Sequence, residues 1–214
     1  MRNALAEITN VDLEYLDRIH PALPRVLARM DREGGDEDIP VVGTAVGRFL
    51  RVLTAAIRAK RVLEIGTAIG YSAIWIGGAL PRSGELVTID PDVERTDRAK
   101  RNWREARIAA RLVVKNGPAL EVLPTLTGRF DLVFIDALKR EYSGYLDRAL
   151  PLLRDGGVVA VENLLWSGRA SGVRPAEDAD TLAIRAFNER FLAHRALLAT
   201  ILPLGDGLGV GVKK

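Results

Sequence analysis

The chain has 214 residues, 48% hydrophobic and 28% charged, with a formal net charge of +3. That is enough chain for one domain with a substantial core, and so small a positive excess demands no nucleic-acid partner. There is no cysteine; this excludes disulfides, thiolate metal sites and a cysteine nucleophile, and makes a reducing cytoplasm the expected setting.

The N-terminal stretch MRNALAEITNVDLEYLD carries acids and no unbroken apolar run, so it reads as neither signal peptide nor membrane span. Residues 1–60 read as a helical extension of the same domain. Leu13, Leu16, Ile19 and Leu23 are spaced for one helix face. REGGDEDIP reads as a breaker, after which Val46, Phe49, Leu50, Leu53 and Ile57 make a second stripe.

From residue 61 to the end, strands and helices alternate. RVLEIG is a strand and GYSAIWIGGAL a helix ended by Pro81. ELVTID is a strand and PDVERTDRAKRNWREAR a helix. RLVVK is a strand and PALEVLPTL a short helix. FDLVFID is a strand, followed by a helix with Tyr142, Tyr145, Leu146, Ala149, Leu150 and Leu153 on one side. GGVVAVEN is the next strand; then come a loop and a helix from about Asp178 to His194. ALLATILPLGDGLGVGVKK closes the chain as two strands around Gly205, Asp206 and Gly207. Such alternation predicts a mostly parallel α/β sheet covered on both faces, with the terminal hairpin adding an antiparallel strand. In open sheets of this kind ligands sit beyond the carboxyl ends of the strands, so those ends are where chemistry is sought.

The first strand ends in EIGTAIGYS, which holds Glu64, Gly66, Gly70, Tyr71 and Ser72. A glycine turn feeding a helix suits a carboxylate or other anion. Its G-x-x-x-G spacing is neither the dinucleotide fingerprint nor a phosphate loop, and a bare tight turn would also explain it. Asp90 ends the second strand, 24 residues beyond Gly66; an acid there takes ribose hydroxyls or caps the next helix. Together they point to an adenosine-containing cofactor. Asp136 ends the fourth strand and Glu162-Asn163 the fifth. If those strands are neighbours they lie about 4.8 Å apart, and two carboxylates and an amide oxygen converge. Like charges so close raise each other's pKa, and a hard divalent cation such as Mg²⁺ or Ca²⁺ removes the conflict; capping and solvent exposure are the alternative. Lys139 lies just beyond Asp136. A lysine near a cation in a partly dry cleft suits a general base, although surface lysines are common.

VGTAVGRFL, VLEIGTAIGYSAIW, VTIDPD, NGPALEVL, FDLVFIDALKREY and VENLLWSG, in that order and spacing, resemble the cation-dependent O-methyltransferases, the family of catechol and caffeoyl-coenzyme A O-methyltransferases. The likeness runs from about Val42 to the end. It implies the Rossmann-like class I methyltransferase fold, a seven-stranded, mostly parallel sheet with an antiparallel C-terminal hairpin strand, and S-adenosylmethionine as methyl donor. It implies that Val42, Glu64, Gly66, Tyr71, Ser72, Asp90, Ala119 and Asp136 serve the cofactor, with Ser72 near the methionine carboxylate, Asp90 on the ribose and Ala119 at the adenine. Asp136, Glu162 and Asn163 fall on the metal positions (Mg²⁺, with Ca²⁺ or Mn²⁺ as alternatives), and Lys139 on the general-base position. Tyr145 or Trp166 would line the acceptor pocket. The family usually has Asp-Asn where this chain has Glu162-Asn163, which puts metal preference in question.

The resemblance therefore implies methyl transfer to a hydroxyl of a catechol-like molecule with two adjacent oxygens, by a cytoplasmic homodimer paired through its N-terminal helices. One rival acceptor is a tRNA hydroxyuridine, served by Arg98, Lys100, Arg101, Arg104 and Arg107 in RAKRNWREAR, although interleaved acids also make that run a solvated face. Another rival class is a nicotinamide-type or non-catalytic nucleotide-binding protein, and a third is a methyltransferase-like chain that has lost its metal. His20 and His194 lie far from the strand ends and carry no predicted chemistry, while Trp75 and Trp103 sit at packing positions. WSGRASGVRPAEDAD reads as a rim over the acceptor or a plain connection.

Overall fold

The structure, a computed structural model, describes residues 8–214. Residues 1–7, the start of the N-terminal stretch read above, lie outside it. Seven strands, β1 (Arg61–Ile65), β2 (Glu85–Asp90), β3 (Arg111–Asn116), β4 (Phe130–Ile135), β5 (Leu153–Val161), β6 (Leu197–Leu202) and β7 (Leu208–Lys213), form one sheet in the order β3-β2-β1-β4-β5-β7-β6. Only β7 runs against the others, pairing antiparallel with both β5 and β6. The doubly wound sheet with a C-terminal hairpin is the expected one.

The apolar runs become central strands because both faces are covered. On one face Val62, Leu86, Leu132, Phe134 and Ala160 pack with α2 (Arg25–Asp36), α3 (Thr44–Ala56), α4 (Tyr71–Gly77) and Trp103 of α5 (Val93–Glu105). On the other, Leu63, Ile65, Val133, Ile135 and Val161 meet Tyr142, Tyr145 and Leu146 of α7 (Tyr142–Ala149) and Phe187 and Phe191 of α8 (Ala179–Leu192). A short helix, α6 (Ala119–Val122), closes that side. Trp75 and Trp103 are packing residues: a side chain on Gly47 would overlap the Trp75 indole, and one on Gly77 would overlap Trp103.

The N-terminal reading needs correction in two places. The stripe Leu13, Leu16, Ile19, Leu23 does not lie on one helix. α1 (Asn10–Ile19) ends before Pro21 and Pro24, and none of its residues is buried. Burying a leucine or isoleucine side chain contributes about 1.5–3 kcal/mol. α3 gains this through Val46 and Leu50, whereas Leu13, Leu16 and Ile19 remain exposed on α1. The expected breaker is also helical, since α2 runs through Gly34 and Gly35 to Asp36. Tertiary contacts hold that last turn: Arg98 pairs with Glu33 and Glu37, and a Cβ at Gly34 would come 2.9 Å from Val41, where the chain doubles back. Farther on, Leu153 opens β5 instead of ending α7.

The register brings the strand ends level. Ile65 lies beside Ile135, and Ile135 beside Val161. Asp136 N–H then donates to Ile65 O, and Glu162 N–H to Ile135 O. The residues after β1, β4 and β5 therefore share one edge.

Candidate active site

That edge floors a cleft of about 1100 Å³, walled by Val42 and Gly43 before α3, Gly66–Ala68 and Ser72 after β1, Asp90 after β2, Ala119, and Asp136–Glu141. Tyr71, Tyr145, Glu162, Asn163, Trp166 and Asp206 complete the lining. Every residue singled out from the strand ends lines this one cleft except Glu64 and Gly70.

Glu64 is fully buried in β1. Its carboxyl accepts from Ser72 Oγ at 2.7 Å and from Thr88 Oγ1 at 2.6 Å. Burial pushes its pKa up to about 7; the two hydroxyls oppose the rise, and Asp136 and Asp90 add to it. Because the folded pKa lies above the ordinary value of 4.5, the unfolded chain ionises first. The contribution of Glu64 to stability should therefore be greatest below about pH 4.5, fall as pH rises towards 7, and level off above it. Over that window the loss is about 3 kcal/mol. Glu64→Gln keeps the shape, its oxygen accepting from one hydroxyl and its NH₂ donating to the other once that hydroxyl turns, so its thermal midpoint should decline less than the parent's between pH 5 and 7 in a melting series. Equal slopes would exclude Glu64 as the titrating group.

The glycine turn is dictated sterically. Gly66 has φ +98°, and a Cβ there would overlap the Asp136 carbonyl oxygen. Asp90 binds the turn from below: Oδ2 accepts from Thr67 N–H at 3.0 Å and Ala68 N–H at 2.9 Å, and Oδ1 from Asp92 N–H at 2.9 Å. The acid thus orders the loop on which a ligand would rest, and Oδ1 keeps acceptor capacity for a hydroxyl.

At the other end of the cleft lies a polar cluster. Lys139 Nζ donates to Asp136 Oδ1 at 2.9 Å, Tyr142 OH at 2.8 Å and Asn163 Oδ1 at 2.6 Å. Tyr142 OH donates onward to the Glu162 carbonyl at 3.1 Å. Glu162 is buried, and its Oε2 has no hydrogen-bond partner among the described residues. Its pKa is pushed up to about 8 by burial, then by Asp136 and Asp206, with Lys139 opposing. Its longer side chain fits because residue 205 is glycine: a Cβ there would come 2.9 Å from Glu162 Oε1 and 2.5 Å from Val46. Asn163, Trp166 and Ser167 all have positive φ, at 63°, 51° and 52°. Such non-glycine conformations cost of order 1–3 kcal/mol each and persist only where surrounding contacts impose them.

Three oxygen-bearing groups at one cleft end make a donor set of the type hard divalent cations take. The orphaned, buried Glu162 oxygen is what such an ion would satisfy. Two residues of this end escaped the sequence reading. Tyr142 counted only as a core position, although its place three residues after Lys139 puts both on one side of the turn. Asp206 was read only as a turn residue. His20 caps α1 through Leu16 O, and His194 sits in the turn before β6, both away from the cleft.

A seven-stranded sheet whose last strand is inserted antiparallel, with its cleft at the strand carboxyl ends, defines the class I methyltransferase architecture. The O-methyltransferase family profile matches residues 25–214, and the chain belongs to that family. It is 38% identical over 185 residues to a catechol O-methyltransferase of Mycobacterium tuberculosis, covering 85% of this chain and 81% of the relative. The structure superposes with a TM-score of 0.83 on the O-methyltransferase TomG of Streptomyces achromogenes, solved with S-adenosylmethionine, at 32% identity and coverage of 95% and 96%. An O-methyltransferase of Bacillus cereus in complex with S-adenosylhomocysteine gives 0.84 at 29% identity, covering 94% and 96%. The chain is thus an O-methyltransferase of the S-adenosylmethionine-dependent type, which sets aside the nicotinamide reading.

Proposed function

We propose that this protein transfers the methyl group of S-adenosylmethionine to one hydroxyl of a catechol-like small molecule, with a divalent cation at Asp136, Glu162 and Asn163. The observation that carries the proposal is that Asp136 and Asn163 meet Lys139 at one end of the cleft, whose lining also holds Glu162 with a buried carboxylate oxygen that has no partner among the described residues. When bound, the cation would supply Lewis acidity that lowers the pKa of an acceptor hydroxyl.

The chain's own residues do the rest. Val42, Gly66, Tyr71 and Ser72 line the end assigned to the methionine moiety, Asp90 is assigned to the ribose hydroxyls, and Ala119 to the adenine. Asp136 ends β4 between the two halves of the cleft and is assigned to both. Lys139 is placed to accept or steer the hydroxyl proton, and Tyr142 OH helps to fix its ammonium by accepting from Nζ at 2.8 Å. Trp166 and Tyr145 form the walls against which a planar acceptor would stack. Catalysis of this type is chiefly positioning and stabilisation of the developing charge.

A small acceptor is favoured over tRNA by the state of the basic helix. Of the five basic residues from 98 to 107, Arg98 is paired with Glu33 and Glu37 and Lys100 with Asp97, which weakens that run as a phosphate track. The exposed apolar stripe of α1 is the surface we assign to a homodimer contact, and a cytoplasmic setting remains our reading of the cysteine-free sequence. Incubation with labelled S-adenosylmethionine, a panel of catechols and bulk tRNA tests the acceptor. Label in a catechol product supports the reading; label only in tRNA overturns it.

A further inference from the structure

We propose that Asp206, at the tip of the β6–β7 hairpin, is a positioning residue that turns the Asn163 carboxamide so that its oxygen faces the reaction centre. The inference rests on the cation reading above and adds to it a residue 43 positions away in sequence.

With Asp136, Tyr142 and Asn163 all around it as acceptors, Lys139 sits here as the ammonium, which has only protons to offer, so the Asn163 atom 2.6 Å from Nζ is the oxygen. The amide nitrogen then points the other way, to Asp206 Oδ2 at 3.4 Å. A carboxylate can only accept, so it selects the NH₂ end and rejects the oxygen. The other oxygen, Oδ1, accepts from Ser167 N–H at 2.6 Å. The backbone at the tip adds two further bonds, Leu165 N–H to Asp206 O at 2.8 Å and Leu164 N–H to Gly207 O at 2.9 Å. Glycine at 207 permits this approach, since a Cβ there would lie 2.6 Å from Leu165 N. The tip therefore grips the segment from Asn163 to Ser167, in which three non-glycine residues hold positive φ. It leaves one carboxylate oxygen to decide which way the amide faces.

Asp206→Asn separates orientation from scaffolding. The new amide oxygen can still accept from Ser167 N–H, and both backbone bonds are untouched. Its nitrogen would then meet the Asn163 nitrogen, donor against donor, so the Asn163 amide is held from the Lys139 side alone and loses its fixed orientation. The variant should bind Mn²⁺, followed by electron paramagnetic resonance, at least tenfold more weakly than the parent. S-adenosylhomocysteine affinity should stay within about twofold, because Asp206 touches none of the cofactor-end residues. kcat should fall while KM for S-adenosylmethionine holds. In metal-free protein the Asn163 side-chain amide resonances should shift and exchange faster with water. Unchanged Asn163 resonances, or unchanged Mn²⁺ affinity where the parent binds the ion, overturn the inference. If the parent itself binds no Mn²⁺, the cation reading fails and the resonances alone decide the role of Asp206. Should this variant not fold, Asp206→Ser gives the same comparison, since a hydroxyl can accept from Ser167 without reaching Asn163.

Discussion

Replacing Lys139 with alanine should lower methyl transfer by a factor of about 10²–10⁴, the range of a positioned proton-transfer group, and leave S-adenosylhomocysteine binding nearly intact. Nζ contacts Asp136, Tyr142 and Asn163, and none of the residues of the glycine turn or Asp90. Its side chain is only 12% exposed and that of Asp136 24%, so removing it deprives three acceptors of their donor in a poorly hydrated place. Breaking such a partly buried pair destabilises by up to about 3–5 kcal/mol. A thermal midpoint that drops in chelator and recovers with Mg²⁺ would separate that loss from the loss of rate. Turnover within about threefold of the parent would exclude a proton-transfer role for Lys139.

Gly66→Ala should abolish cofactor binding, with the largest structural effect of any single methyl in the cleft. The residue combines φ +98° with a Cβ position inside van der Waals contact of the Asp136 backbone oxygen. Alanine can relieve neither by rotating a side chain, so the turn must shift away from β4. Thr67 and Ala68 would then leave the Asp90 carboxylate they both donate to, and the bond from Asp136 N–H to Ile65 O would be disturbed with them. Overpacking of this kind costs about 1–3 kcal/mol even where neighbours can yield; here the neighbour is backbone. Calorimetric titration with S-adenosylhomocysteine should show no measurable binding. Affinity within tenfold of the parent would mean that the turn is looser than its contacts imply.

The strands were legible because a parallel strand buried on both faces needs a nearly continuous apolar run; VVAV is one, and RVLEI and FDLVFI are interrupted only by Arg61, Glu64 and Asp131. Asp136, Glu162 and Asn163 could be grouped because each follows a run directly, but only the placing of β4 beside β5 makes them one cluster. The features the sequence hid depend on contacts far along the chain. Helix α2 continues through Gly34 and Gly35 because Arg98 and Val41 hold it there, against local propensity. Leu13, Leu16 and Ile19 show helical periodicity yet remain exposed, since periodicity marks a face and not what covers it. Asp206 reads locally as an ordinary turn residue, and only the antiparallel insertion of β7 carries it to Asn163. Glu162, the departure from the family's usual Asp-Asn, finds its room at Gly205 in the same turn.

The central claim is an S-adenosylmethionine-dependent methyl transfer that needs the three oxygen donors loaded with a divalent cation. It is tested most directly by following methylation of a catechol by the parent protein after exhaustive treatment with EDTA, then on adding back Mg²⁺, Mn²⁺ or Ca²⁺. The account predicts loss of at least 100-fold on chelation, the scale of one removed electrostatic contributor, and recovery with one of the ions. Full activity in EDTA, with S-adenosylhomocysteine still binding, would contradict it.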